Sequence, residues 1–132
     1  MGMEKLSKEA RKILRDCLYE FDKKMWDLIS YSRESDLLKY APDFLTTNEG
    51  LHLRARRYLD ELKEGLSSRE VSHPYLQKAF EYGLFSINKI VVGQPRTNLR
   101  WHLNNARCDL ITEIAKDRVN VRVDIQYLHP KV

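Results

Sequence analysis

The sequence predicts a mainly α fold, a four- to five-helix bundle carrying a C-terminal β-strand arm. Two patterns predict it. Apolar residues recur at intervals of three and four as far as Lys116, and beyond it they recur at intervals of two. The length sets the scale: 132 residues are one domain's worth of chain. The expected single domain, 1–132, is a bundle over about 7–117 with an arm over about 118–128.

The first helix is expected from about Ser7 to Tyr31. Ala10, Ile13, Leu14, Cys17, Leu18, Phe21, Met25, Leu28 and Ile29 line one face of a 3.6-residue helix, and charged residues fill the other. Ser7 can accept a bond from an orphan amide of the first turn, as an N-cap does. A short helical turn through Leu37, Leu38 and Tyr40 follows, and Pro42 ends it by pushing its predecessor out of the α region.

Thr46 and Glu49, three apart, offer a capping box for the next helix. That helix is expected to bury Leu51, Ala55, Tyr58, Leu59, Leu62 and Leu66. Gly65 and the run Ser67-Ser68-Arg69-Glu70 mark a turn. His73-Pro74 opens a third helix, since proline's missing N–H is harmless at the first helical position. Its stripe is Leu76, Ala79, Phe80, Leu84, Ile87, Ile90 and Val91, and Gly93 with Pro95 stops it. Thr97 is placed to cap a last helix with Leu99, Leu103, Ala106, Leu110 and Ile114 inward.

In the arm, Val119, Val121, Val123, Ile125 and Tyr127 alternate with Asn120, Arg122, Asp124 and Gln126. A period of two with β-branched residues describes a half-buried strand. No strand of comparable length reads elsewhere in the sequence to pair its backbone groups, so a second copy, another protein or a short extended loop of this chain is the expected neighbour.

Composition narrows the function. Twenty-three Lys and Arg against nineteen Asp and Glu give +4. The excess is distributed as −1 over 1–50, +2 over 51–93 and +3 over 94–132. This mild bias can steer an acidic partner, but it is not the dense basic run of a dedicated nucleic-acid tail. The apolar runs are too short to cross a bilayer, and the charged start lacks the apolar core of a secretory signal, so a cytoplasmic location without membrane contact is expected.

No glycine-rich phosphate loop, His/Cys metal spacing or GxSxG elbow occurs, so no cofactor or metal is expected. Cys17 and Cys108 fall beside apolar helix positions and read as small buried thiols.

Two sets of residues could carry binding. Arg96, Arg100, Trp101, Asn104 and Arg107 lie on the last helix, where Arg100, Asn104 and Arg107 share a face at i, i+4 and i+7. Arg54, Arg56 and Arg57 cluster near a helix start, where the macrodipole disfavours cations. Arginines beside an exposed aromatic suit a protein interface or a phosphate backbone. The alternative is that Trp101 packs on a neighbouring helix and the arginines meet Asp or Glu.

The run Arg96-Thr-Asn-Leu-Arg-Trp-His102 resembles the RxxxxxH pattern of HEPN-type ribonucleases, small helical proteins that pair two such motifs across a dimer. The resemblance covers these seven residues and the helical class; Arg122 and His129 also come near the spacing. It implies a metal-independent cut of RNA in which His102 moves a proton and Arg96 steadies the phosphate. The leading expectation is instead a non-catalytic interaction module, a small helical protein that binds and regulates or inhibits another macromolecule. A protein partner is expected, with nucleic acid as the alternative.

The arm generates the first testable expectation, homodimerisation through 119–127. Light scattering should give about twice the chain's 15.7 kDa. Val123→Pro, which deletes a ladder donor, should shift the mass toward monomer. A monomeric wild type would overturn the dimer.

Overall fold

The computed structural model describes residues 6–33, 47–90 and 96–115. They form four helices: α1 (Lys8–Arg33), α2 (Asn48–Ser67), α3 (Pro74–Ile87) and α4 (Arg96–Ala115). The mainly helical class is as expected. The short helical turn around Leu37–Tyr40 and the β arm at 119–127 lie outside the described residues.

Each helix packs against its neighbours in sequence, and α1 closes the ring against α4. Cross-helix pairs show the directions. Lys24 meets Glu61 while Cys17 meets Arg69, so α1 and α2 run antiparallel. His52 reaches Asn88 while Lys63 lies over Phe80, so α2 and α3 do too. Gly83 lies against Ala106 and Leu110 while Lys89 just past α3 acts on His102, so α3 and α4 do as well, and Asp22 of α1 meets Arg107 of α4. The result is an up-down-up-down bundle, the topology that short antiparallel connections favour.

The core is the one that the 3.6 period specifies. Leu14, Leu18, Phe21, Met25, Leu28 and Ile29 of α1 meet Leu51, Ala55, Leu59, Leu62 and Leu66 of α2. Leu76, Ala79, Phe80 and Ile87 of α3 and Leu99, Leu103, Ala106, Leu110, Ile111 and Ile114 of α4 complete it. Burying each large aliphatic side chain contributes about 1.5–3 kcal/mol against leaving it in water. At Gly83 an added Cβ would stand 3.1 Å from Leu110 Cδ1, so the missing side chain lets α3 and α4 approach closely.

The helix starts follow local chemistry, with two corrections. Ser7 Oγ accepts from the amide of Ala10 at 3.1 Å, and His73 Nδ1 accepts from that of Tyr75 at 3.2 Å with Pro74 at the first turn. In α2 the cap is Thr47, not Thr46: its Oγ1 accepts from the Gly50 amide at 3.0 Å. A cap three residues before its donor satisfies an orphan N–H directly, so the Thr46–Glu49 register is not used. Thr97 lies inside α4, which already begins at Arg96. Helix α3 stops at Ile87, earlier than the apolar stripe suggested, although Ile90 still packs in the core.

The end of α2 also differs from expectation. Gly65 stays helical and leaves room for Cys17 of α1, whose Sγ lies 3.6 Å from where a Cβ would stand. The reversal is made by Glu70, at φ 61°. The Val71 amide returns to the Leu66 carbonyl at 2.9 Å and that of Glu70 to Ser67 at 3.0 Å, the paired bonds of a Schellman ending. Val71 then enters the core. The left-handed region costs a residue with a Cβ about 1–2 kcal/mol. Glycine avoids that cost, although its freer unfolded chain offsets part of the gain. Glu70→Gly should therefore stabilise the bundle by a few tenths to about 1 kcal/mol in urea denaturation; destabilisation would show that the Glu70 side chain contributes more than its backbone strain.

Candidate interaction surface

The last helix carries most of the predicted binding residues, and it disposes of them in three different ways. Arg107 turns inward and is 1% exposed. Its Nε donates to Asp22 Oδ1 at 2.6 Å and its Nη2 to Oδ2 at 3.3 Å, a two-point clasp between α4 and α1. Nη1 donates to Asn104 Oδ1 at 3.0 Å, and the guanidinium lies 4.4 Å from the Trp26 ring centre. Arg107 and Asn104 are thus engaged with one another and with α1, so the expected exposed face with Arg100 loses its Arg107 guanidinium. The reason is register: Arg107 falls four residues after Leu103 and three before Leu110, on the buried stripe itself.

A charge can be buried only when paired and hydrogen-bonded, and Asp22, 4% exposed, supplies the partner. Burial pushes the Asp22 carboxyl up to about 6, against the pull of the Arg107 charge and its hydrogen bonds. The Trp26 Nε1 beside this cluster is buried without a hydrogen-bond partner.

The second disposition is partial. Arg100 is half-buried, and Arg96 lies at the first position of α4. The third is full exposure: Trp101 keeps 64% of its surface in water. Next to it, half-buried His102 is held below the usual imidazole range by burial first and then by the charge of Lys89, two residues past the end of α3. Lys89 in turn places its ammonium 4.5 Å from the Phe85 ring centre. Phe85 is itself 64% exposed and Tyr82 42%.

Tyr82 and Phe85 stand three apart on the side of α3 away from its buried residues, with Lys89 in the turn that follows. The outer side of α3 thus carries Tyr82 and Phe85, Lys89 just past its end acts on His102 of α4, and Trp101 stands in water on the outer side of α4. Sequence reasoning found Trp101 and missed the α3 stripe. The signal was there, because Tyr82 and Phe85 are out of phase with Leu76, Ala79, Phe80 and Ile87.

The α2 arginines are held differently. Arg57 donates to Glu61 at 3.3 Å, and Lys24 of α1 approaches the same carboxylate at 2.9 Å. Hydrogen bonding to Lys24, ahead of the opposing burial, keeps Glu61 below the usual carboxylate range. The Arg54 guanidinium lies 5.9 Å over the Tyr58 ring, and Arg56 is exposed. Leu53, 63% exposed, is on this helix, away from the α3–α4 surface.

Cys17 and Cys108 are half-buried free thiols, both raised above their ordinary pKa chiefly by burial. Among the described residues, no three His, Cys, Asp or Glu side chains gather in a way that could hold a metal ion. None of the helices among them is long and apolar enough to cross a membrane.

Among the described residues, fold and surface together define four antiparallel helices with an internal ion pair and exposed aromatic side chains. Comparison with protein-family models, curated proteins and solved structures gives no match.

The Asp22 environment has a measurable consequence. Its folded pKa, about 6, lies above the 3.8 of a free carboxyl, so between these values the folded state holds more protons than the unfolded state. Asp22 should therefore contribute most to stability below about pH 4, and that contribution should be lost as pH rises through about 6. The difference between wild type and Asp22→Asn in urea denaturation should fall across this window by up to about 1.4 kcal/mol per pH unit. A difference that rises with pH would mean that Arg107 outweighs burial.

Proposed function

We propose that this chain is a non-catalytic interaction module, a small helical protein that binds another macromolecule and regulates or inhibits it. The observation that carries this reading is the exposure of Phe85 and Trp101, each 64%, on adjacent helices. Covering such a ring is worth about 1.5–3 kcal/mol, and Trp and Tyr are the residue types most enriched among interface hot spots. Tyr82 and Phe85 beside Lys89, with Trp101 on the neighbouring helix, suit a partner that brings apolar area and negative charge.

Catalysis by Arg96 and His102 has weaker support. Six positions apart on one helix, they are separated by about 9 Å along the axis and about 120° around it. A ribonuclease site would need the second motif of a dimer. The cytoplasmic setting and the pairing of 119–127 with a second copy belong to the same proposal and rest on the sequence pattern.

Photo-crosslinking in cell extract tests the proposal. A benzophenone amino acid at Phe85 should give a discrete adduct of a protein or nucleic acid, and the same group at exposed Glu64 of α2 should not. Equal, diffuse labelling from both positions would overturn the assignment of this face.

A further inference from the structure

We infer that the outer face of α3 docks an acidic amphipathic helix of a partner protein. The inference rests on the interaction-module reading and names its partner's chemistry. Lys78, Tyr82 and Phe85 on α3 and Lys89 in the turn just past its end are spaced four, three and four residues apart, and all are exposed. That is the spacing of a short helix–helix seam whose apolar pair is Tyr82 and Phe85. It runs on the side of α3 opposite the buried Leu76, Ala79, Phe80 and Ile87. The helix therefore has one seam used by the bundle and a second that the described residues leave in water.

The charges select the occupant. Lysines bound the two aromatic rings at either end, Lys78 within α3 and Lys89 in the turn that follows it. Among the described residues no ion pair engages Lys78 or Lys89; Lys89 rests on the Phe85 ring. Glu81 flanks the stripe toward α2, and His102 flanks it toward α4. A second copy fits poorly, because lysine would oppose lysine whether the two stripes ran parallel or antiparallel. Two cations over this length give little grip on a phosphate backbone, whose affinity grows with each phosphate neutralised. A helix with two apolar residues at its centre and a carboxylate one turn beyond each meets all four positions. This is the groove mode of peptide recognition, in which the apolar anchors give affinity and the charges give register. One short seam is at the small, transient end of protein interfaces.

Fluorescence anisotropy with the full chain tests the inference. The probe is an 18-residue peptide, stapled as a helix, with two central leucines and flanking glutamates. Its counterpart carries lysine for glutamate, and a 20-nucleotide oligo-dT is the third probe. The acidic peptide should bind at least about tenfold more tightly than either of the others. Phe85→Ser should weaken it about tenfold or more, with the helical circular dichroism unchanged. The double variant Lys78→Glu/Lys89→Glu should lose the acidic peptide and gain the lysine peptide, a swap that general destabilisation does not produce.

Equal or tighter binding of oligo-dT, or no preference between the peptides, overturns the inference. Absence of all binding overturns it too. If the Phe85 crosslink persists in that case, the interaction-module reading stands and only the occupant is wrong; if the crosslink is also absent, both fall.

Discussion

The Arg107–Asp22 pair is the constraint on which this bundle turns. Three helix contacts join sequence neighbours and can form locally. The fourth, between α1 and α4, joins residues 85 positions apart, and the pair sits in that contact. Apolar side chains tolerate sliding by a turn, since leucine packs against leucine in more than one register. A buried guanidinium does not. With Nε and Nη2 on the two carboxylate oxygens and Nη1 on Asn104, any shift of α4 along α1 would leave charge unpaired in the interior. The pair thus acts as a register pin, and the stripe of α3 owes its outward direction to the same closure, because α3 packs between α2 and α4.

How this pair stands in the sequence explains what could be read there. Leu18, Asp22, Met25 and Ile29 follow one another at four, three and four, as do Leu103, Arg107, Leu110 and Ile114. Each of these two runs carries one charged residue, and the two are of opposite sign. Reading charge as a mark of the solvent face sets both residues aside. Reading position before residue type puts both in the core and pairs them. The four helices themselves were legible because their stripes are long and because Ser7 and His73-Pro74 mark two of the starts. The cap of α2 was missed by one residue, since Thr46 and Thr47 are the same residue type and only backbone geometry separates them. Glu70 gave no signal, because a left-handed turn is expected at Gly or Asn and the chain uses neither.

The candidate site was half legible. Trp101 is off the buried stripe and does stand in water, whereas Arg107, expected on the same surface, pairs with Asp22. What decides between the two is phase around one helix: Trp101 is about 200° from Leu99 and Arg107 about 80°. The α3 residues were set aside for a different reason. Aromatic residues in a helical segment suggest core, and only the helix wheel shows that Tyr82 and Phe85 cannot be buried together with Ala79, Gly83 and Ile87.

A double-mutant cycle at pH 7.5 on Asp22→Ala and Arg107→Ala, read by urea denaturation, tests the register-pin role most directly. Either single change leaves an unpaired buried group, and the second change removes it. The expected coupling is about 2–3 kcal/mol, with the double variant far less unstable than the two single losses added together. Coupling near zero, with additive losses, would contradict the claim that this pair holds α1 to α4.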